Sequence, residues 1–166
     1  NNKRFQIARK KLYSIDCQCK DISEIDFSQF KPRSNSATVI MQDVIEHISK
    51  KKLKDFFIKL SNYYSKVYFI GRTPNLKSPF GLRNSFGDNT HIHRFTDSSL
   101  KDFLEKLGFD KINISNENFR ITGILSFLRY FPYLIIIYTL SLKFAIVYGS
   151  WEGLLTPNLV FHSEKI

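Results

Sequence analysis

Asp43, Glu46 and His47 stand at positions i, i+3 and i+4 in the run Val39-Ile-Met-Gln-Asp-Val-Ile-Glu-His-Ile48. If the turn there is helical, the three side chains share one face. Two carboxylates and an imidazole are a donor set for a hard or borderline divalent cation. His91 and His93, in Thr90-His-Ile-His93, could add a further ligand. Without a metal, His47 and His91 are general-base candidates, because an unperturbed imidazole titrates near neutral pH. His47 could equally do no more than pack beside a bound ligand. Arg72, Arg83 and Arg94 lie on either side of the histidines in sequence and could bind a phosphate or carboxylate.

These residues need a scaffold. Ala37–Gln42 is a continuous apolar run, as in a strand covered on both faces, and Lys66–Gly71 is a second. Between them, Leu53, Phe56, Phe57 and Leu60 mark one face of a helix over about 50–64. Thr96 is a helix N-cap, Leu100, Phe103, Leu104 and Leu107 are the inward face, and Gly108 is a left-handed stop. Residues 110–118 read as a strand with Ile112 and Ile114 on one face, and Thr156–Phe161 as a final strand. Upstream, residues 3–13 read as a helix, 14–20 as a short strand ending at Asp21, and 28–36 as a loop. Residues 72–95, with Pro74, Pro79, Gly81 and Gly87, read as one long loop of the kind that carries function. Strands alternating with helices give an α/β domain.

Residues 121–148 break the pattern, with only Arg129 and Lys143 charged. The 13 residues between these charges fall short of the roughly 20 that a bilayer span needs. Pro132 should interrupt a single helix. The segment is expected to form one or two apolar helices that pack on the domain, pair with another copy or contact a membrane surface peripherally.

The 166 residues carry a formal net charge of +10, which favours anionic partners. The densest basic run, Lys50, Lys51, Lys52 and Lys54, begins an amphipathic helix and reads first as a solvated face. Cys17 and Cys19 form a lone C-x-C, which reads as two small apolar side chains. No recognition helix, zinc spacing or aromatic RNA-binding motif is present, so a nucleic-acid partner is not favoured.

Three segments and a fourth near the C-terminus, in order, resemble class I S-adenosylmethionine (SAM)-dependent methyltransferases of the type 11/23 kind associated with bacterial envelope polysaccharides. Val39–Ile48 resembles the family's fourth strand and its "DVLEH" turn. Phe69-Ile-Gly-Arg-Thr-Pro-Asn75 resembles the fifth strand and its "PN" exit. Gly87-Asp-Asn-Thr-His91, Phe95-Thr96 and Leu107-Gly-Phe109 resemble the stretch leading to the sixth strand, and Leu155-Thr-Pro-Asn-Leu159 the start of the seventh. The resemblance covers roughly residues 10–166. It implies a Rossmann-like, mostly parallel sheet with helices on both faces and an antiparallel last strand. Residues 1–166 would be a partial methyltransferase domain with an apolar helical insertion at 121–148.

The family also uses a G-x-G loop, whose glycines let the backbone approach the cofactor, and an acid ending the second strand. The glycines here, at 71, 81, 87, 108, 123, 149 and 153, form no G-x-G. The expectation is that the N-terminal strands are missing and that this chain alone binds SAM weakly and is inactive. By resemblance, Asp21 and Ile22 would lie near the adenine, with Gln42, Asp43 and His47 beside the methyl donor. Metal-dependent members with E-x-x-E-H sites imply Mg²⁺ at Asp43, Glu46, His47 and His91. The implied acceptor is a sugar or lipid-linked glycan hydroxyl, in the cytoplasm at the inner membrane face. RNA or a quinone precursor is a second acceptor class, and a non-catalytic membrane-associated remnant a third reading.

Overall fold

The computed structural model describes residues 20–29 and 35–166. The helix expected over 3–13, most of the strand over 14–20, Cys17, Cys19 and most of the 28–36 loop lie outside them. Four strands form one sheet: β1 (Ser36–Gln42), β2 (Lys66–Pro74), β3 (Asp110–Asn116) and β4 (Asn158–Lys165). Their order is β1-β2-β4-β3. β1 and β2 pair in parallel, and β4 lies antiparallel between β2 and β3. Three strands therefore run one way and the last runs against them, the α/β arrangement expected from the sequence.

The helices follow from their caps and stripes. Helix α1 (Lys50–Ser61) starts at Ser49, whose hydroxyl accepts from the amide of Lys52, and it buries Leu53, Phe56, Phe57 and Leu60. Helix α3 (Asp97–Lys106) opens with a reciprocal cap: Thr96 Oγ1 accepts from Ser99 N, and Ser99 Oγ accepts from Thr96 N. It closes at Gly108, whose φ of 85° is the left-handed conformation that glycine adopts without strain. Both helices bury their apolar sides together with the alternating set Val67, Phe69, Leu159 and Phe161. Phe57, Phe69, Phe109 and Phe161 form a chain of tilted and edge-to-face ring contacts at 4.8–5.5 Å through this core. Burying each such side chain contributes on the order of 1.5–3 kcal/mol. Gly71 fits here because a Cβ would collide with the Phe161 ring. On the alternate strand positions, Ile40 and Ile70 are exposed.

Four expectations need correction. Residues 72–95 are not one loop: helix α2 (Pro79–Gly87) lies within them. Ser78 caps it and Pro79 occupies its first turn, where a missing N–H costs nothing. Its glycines hide it from a propensity reading, and Gly81 is required because a Cβ would overlap the carbonyl oxygens of Asn75 and Pro157. Second, Asp43, Glu46 and His47 share no continuous helical turn. Asp43 has a left-handed φ of 52°, and only Ile45–His47 forms a 3₁₀ turn. An aspartate tolerates this conformation better than most residues. Third, Pro132 does not interrupt the apolar segment, which is a single helix, α4 (Ile124–Tyr148). Proline removes one donor from the ladder, and the rest of a 25-residue helix outweighs that loss. Fourth, the last strand extends past Phe161 to Lys165, because Ser163 is buried in alternation with Leu159 and Phe161 although its neighbours are polar.

Candidate active site

The site lies at the carboxyl ends of β1 and β2, where open α/β sheets place ligands. The chain leaves β1 through Asp43, whose amide donates to the Arg72 carbonyl at 2.9 Å. The Asp43 carboxylate accepts from Nε (3.2 Å) and Nη2 of Arg72, and Arg72 Nη1 donates to Glu117 Oε1 at 2.6 Å. One guanidinium thus ties the ends of β1 and β2 to the residue after β3. Asp43 is committed to that pair.

The 3₁₀ turn then carries Glu46 inward. Its side chain is 1% exposed. Oε2 accepts from Thr73 Oγ1 at 3.2 Å, while Oε1 has no hydrogen-bond partner. Burial pushes the Glu46 pKa above the ordinary carboxylate range. Its main-chain carbonyl accepts from the amides of Ile92 (2.8 Å) and His93 (3.0 Å), which fixes the segment carrying His91 against the turn.

Hydrogen-bond partners decide the tautomers of the two histidines. Thr90 Oγ1 donates to Asp88 Oδ1 at 2.6 Å, so its proton is spent. It can then only accept from His47 Nδ1, 2.9 Å away. His91 Nδ1 lies 3.0 Å from the main-chain oxygen of Ser85 on α2, which has no proton to give. In their neutral forms both rings therefore carry hydrogen on Nδ1 and a lone pair on Nε2, that of His91 4.0 Å from Asp88 Oδ2. The ring centroids are 4.6 Å apart. Ligand atoms of Glu46, His47 and His91 all lie within 4.8 Å of one another. With Asp43, Arg72, Pro74, Asn84, Asp88 and Asn158 they line a cleft of about 300 Å³.

The other candidates go elsewhere. Gln42 is exposed at the end of β1. Asp21 caps the 3₁₀ turn Ile22–Glu24, with its carboxylate on the Ser23 amide and hydroxyl and, at 3.1 Å, on Lys52. These hydrogen bonds, those from Ser23 foremost, hold its pKa down at about 2. Neither Asp21, Ile22 nor Gln42 lines the histidine cleft. The His93 ring packs on Phe95 and Phe103, with Nε2 unpartnered, and burial pushes its pKa down. Arg94 donates to the Ser85 carbonyl and lies over the Phe86 ring, while Arg83 is exposed. Asp88 and Thr90, which set the His47 tautomer, carried no signal of their own role; only an Asp-x-Thr pair one residue before a histidine hinted at it.

No known sequence family and no curated protein matches this chain. Solved structures do. A SAM-dependent methyltransferase from Archaeoglobus fulgidus superposes with a TM-score of 0.56 at 18% identity, over 96% of this chain and 72% of that one. The methyltransferase domain of bacterial CtHen1-CN gives 0.51 at 17% identity, over 98% of this chain and 73% of that one. The fold is that of the Rossmann-like SAM-dependent methyltransferases. In this fold the Glu46-His47-His91 cleft stands at the carboxyl edge of the sheet, with Gln42 exposed beside it.

Proposed function

We propose that this chain is the acceptor-side part of a SAM-dependent O-methyltransferase. The observation that carries the reading is the pair of imidazoles, His47 and His91, each anchored through Nδ1, in a cleft at the strand ends of a methyltransferase fold.

SAM supplies an activated methyl group when bound. Gln42 is free to meet such a ligand, and so in part is Asp21, whose side chain is 47% exposed. A glycine turn for the methionine end is not among these 166 residues. The rest of the work falls to the chain's own side chains. His91 Nε2 accepts the proton of an acceptor hydroxyl, and the Ser85 carbonyl on Nδ1 steadies the imidazolium that forms. His47 does the same with Thr90 behind it.

A divalent cation is the second way to activate the hydroxyl, and the unpartnered, buried Glu46 Oε1 favours it. Two imidazole nitrogens and one carboxylate oxygen fit such an ion, and their partners orient them. When bound, the cation supplies positive charge that acidifies a coordinated hydroxyl. This arrangement belongs to the reading in which RNA or a quinone precursor is the acceptor.

The acceptor we favour is a sugar or lipid-linked glycan. In support, Arg72 borders both the histidine cleft and a second cleft lined by Glu117, Asn118, Phe119 and Arg120. Those four residues also line a third cleft, of about 560 Å³, walled by Phe80, Pro132, Tyr133 and Ile136 and by Arg129. A polar head at the histidines with a phosphate and an apolar tail beyond Arg72 would follow this path.

Calorimetric titration of S-adenosylhomocysteine tests the reading. Micromolar binding by the full gene product containing these residues, and weak or no binding by residues 1–166 alone, is expected. No binding by either would overturn it in favour of a non-catalytic remnant.

A further inference from the structure

Helix α4 is 25 residues long and apolar enough to cross a membrane by composition, yet only 6% of its most apolar window is buried. Ile124, Leu128, Phe131, Ile135, Tyr138, Leu142 and Ile146 follow one another at spacings of three and four. They form one stripe along the whole helix, and each is 42–80% exposed. The other side faces the domain. Ser141 is buried and donates to the Glu152 carbonyl at 2.6 Å, and Tyr133 packs on Phe119 with ring centroids 4.9 Å apart. An apolar face of this extent on a soluble surface marks an interaction site.

The sheet decides how this helix can meet a bilayer. α4 is inserted between β3 and β4, and those strands pair directly, with Asn116 opposite Leu159. A single crossing would leave the two strands on opposite sides of the membrane, which their pairing forbids. Charge decides which surface suits the stripe. From Asn118 to Trp151 there is no acidic residue, while Arg120, Arg129 and Lys143 are all basic and, among the described residues, in no ion pair. Lys143, exposed and next to Leu142 of the stripe, has the long basic side chain that reaches lipid headgroups, while Arg129 lines the cleft with Pro132 and Tyr133. Trp151 and Tyr138 pack edge-to-face at 5.3 Å, both more than half exposed, the amphipathic ring type that settles at a lipid–water boundary.

We infer that α4 is an in-plane anchor: it lies flat in one leaflet of an anionic bilayer, with the Ile124–Ile146 stripe dipped among the acyl chains and the domain above it. This stands apart from the methyltransferase reading and needs no cofactor.

Trp151 is the only tryptophan, so its emission reports on α4. The full chain is mixed with vesicles of phosphatidylcholine alone or with phosphatidylglycerol, sedimented, and read by fluorescence with quenchers placed near the headgroups or at the bilayer centre. Co-sedimentation that rises with phosphatidylglycerol, together with quenching mainly by the headgroup-proximal label, is expected. Ile135→Glu, on the exposed stripe, should weaken binding roughly tenfold or more, while Ile58→Glu on α1 should leave it unchanged; far-ultraviolet circular dichroism verifies that both fold. Absence of vesicle binding, or a dimer that Ile135→Glu dissociates and that ignores vesicles, would overturn the inference. So would quenching chiefly by the central label.

Discussion

His47 Nδ1 lies 2.9 Å from Thr90 Oγ1, and the hydroxyl's own proton points to Asp88. Forty-three residues of chain separate the histidine from the threonine, and the contact is what turns the His47 Nε2 lone pair toward the cleft. Thr90→Val removes the acceptor without changing the side chain's shape. We expect a loss of about 10–100-fold in divalent-metal affinity or in turnover, with S-adenosylhomocysteine binding and the melting temperature nearly unchanged. Thr90→Ser should restore the loss. Metal titration by calorimetry on the three proteins checks it.

Glu46→Gln separates the cost of a buried charge from its use. Burial raises the carboxyl's pKa, so the protonated form is the one the fold prefers. The associated stability is complete below the ordinary carboxylate pKa and is lost as pH rises through the folded value. The glutamine variant should therefore melt higher than wild type at neutral pH. That advantage should shrink as pH falls toward about 4. Added Mn²⁺ or Mg²⁺ should raise the wild-type melting temperature and leave the variant's unchanged. Differential scanning calorimetry across pH, with and without metal, measures both.

Asn75 is fully buried, and its side chain clamps the chain entering β4. Nδ2 donates to the carbonyls of Leu154 (2.9 Å) and Thr156 (3.1 Å), and Oδ1 accepts from the Lys77 amide. Asn75→Ala leaves those groups unpaired and should cost about 1–3 kcal/mol. Urea denaturation of the two proteins reads it directly, and an effect within error would show that water replaces the clamp.

The stretches that the sequence read well are those where one physical signal dominates. β1 and β2 stand out as unbroken apolar runs, although Ile40 and Ile70 are exposed and neither strand is covered on both faces among the described residues, and α1 and α3 because Leu53 to Leu60 and Leu100 to Leu107 repeat at helical spacing under good caps. The antiparallel β4 came from resemblance alone, since nothing in Asn158–Lys165 encodes direction. α2 was hidden because Gly81 looks like a loop residue, when it is there to let α2 touch the backbones of Asn75 and Pro157. At the site, residue types pointed to Glu46, His47 and His91, and the structure brings these three together. Asp43, grouped with them on spacing, lines the same cleft but is held by Arg72 and lies outside the three-ligand cluster. Partners such as Thr90 and Ser85 were illegible because they act across the fold, through a hydroxyl and a main-chain carbonyl.

We propose that the His47–His91 cleft performs methyl transfer. The most direct test follows label from methyl-tritiated SAM into membrane-glycan extracts, using the full gene product that contains this chain, with and without a chelator. Wild type should incorporate label, and His91→Ala should lose about 10²–10⁴-fold while binding S-adenosylhomocysteine as tightly as wild type. Label incorporated equally by wild type and His91→Ala would contradict the account.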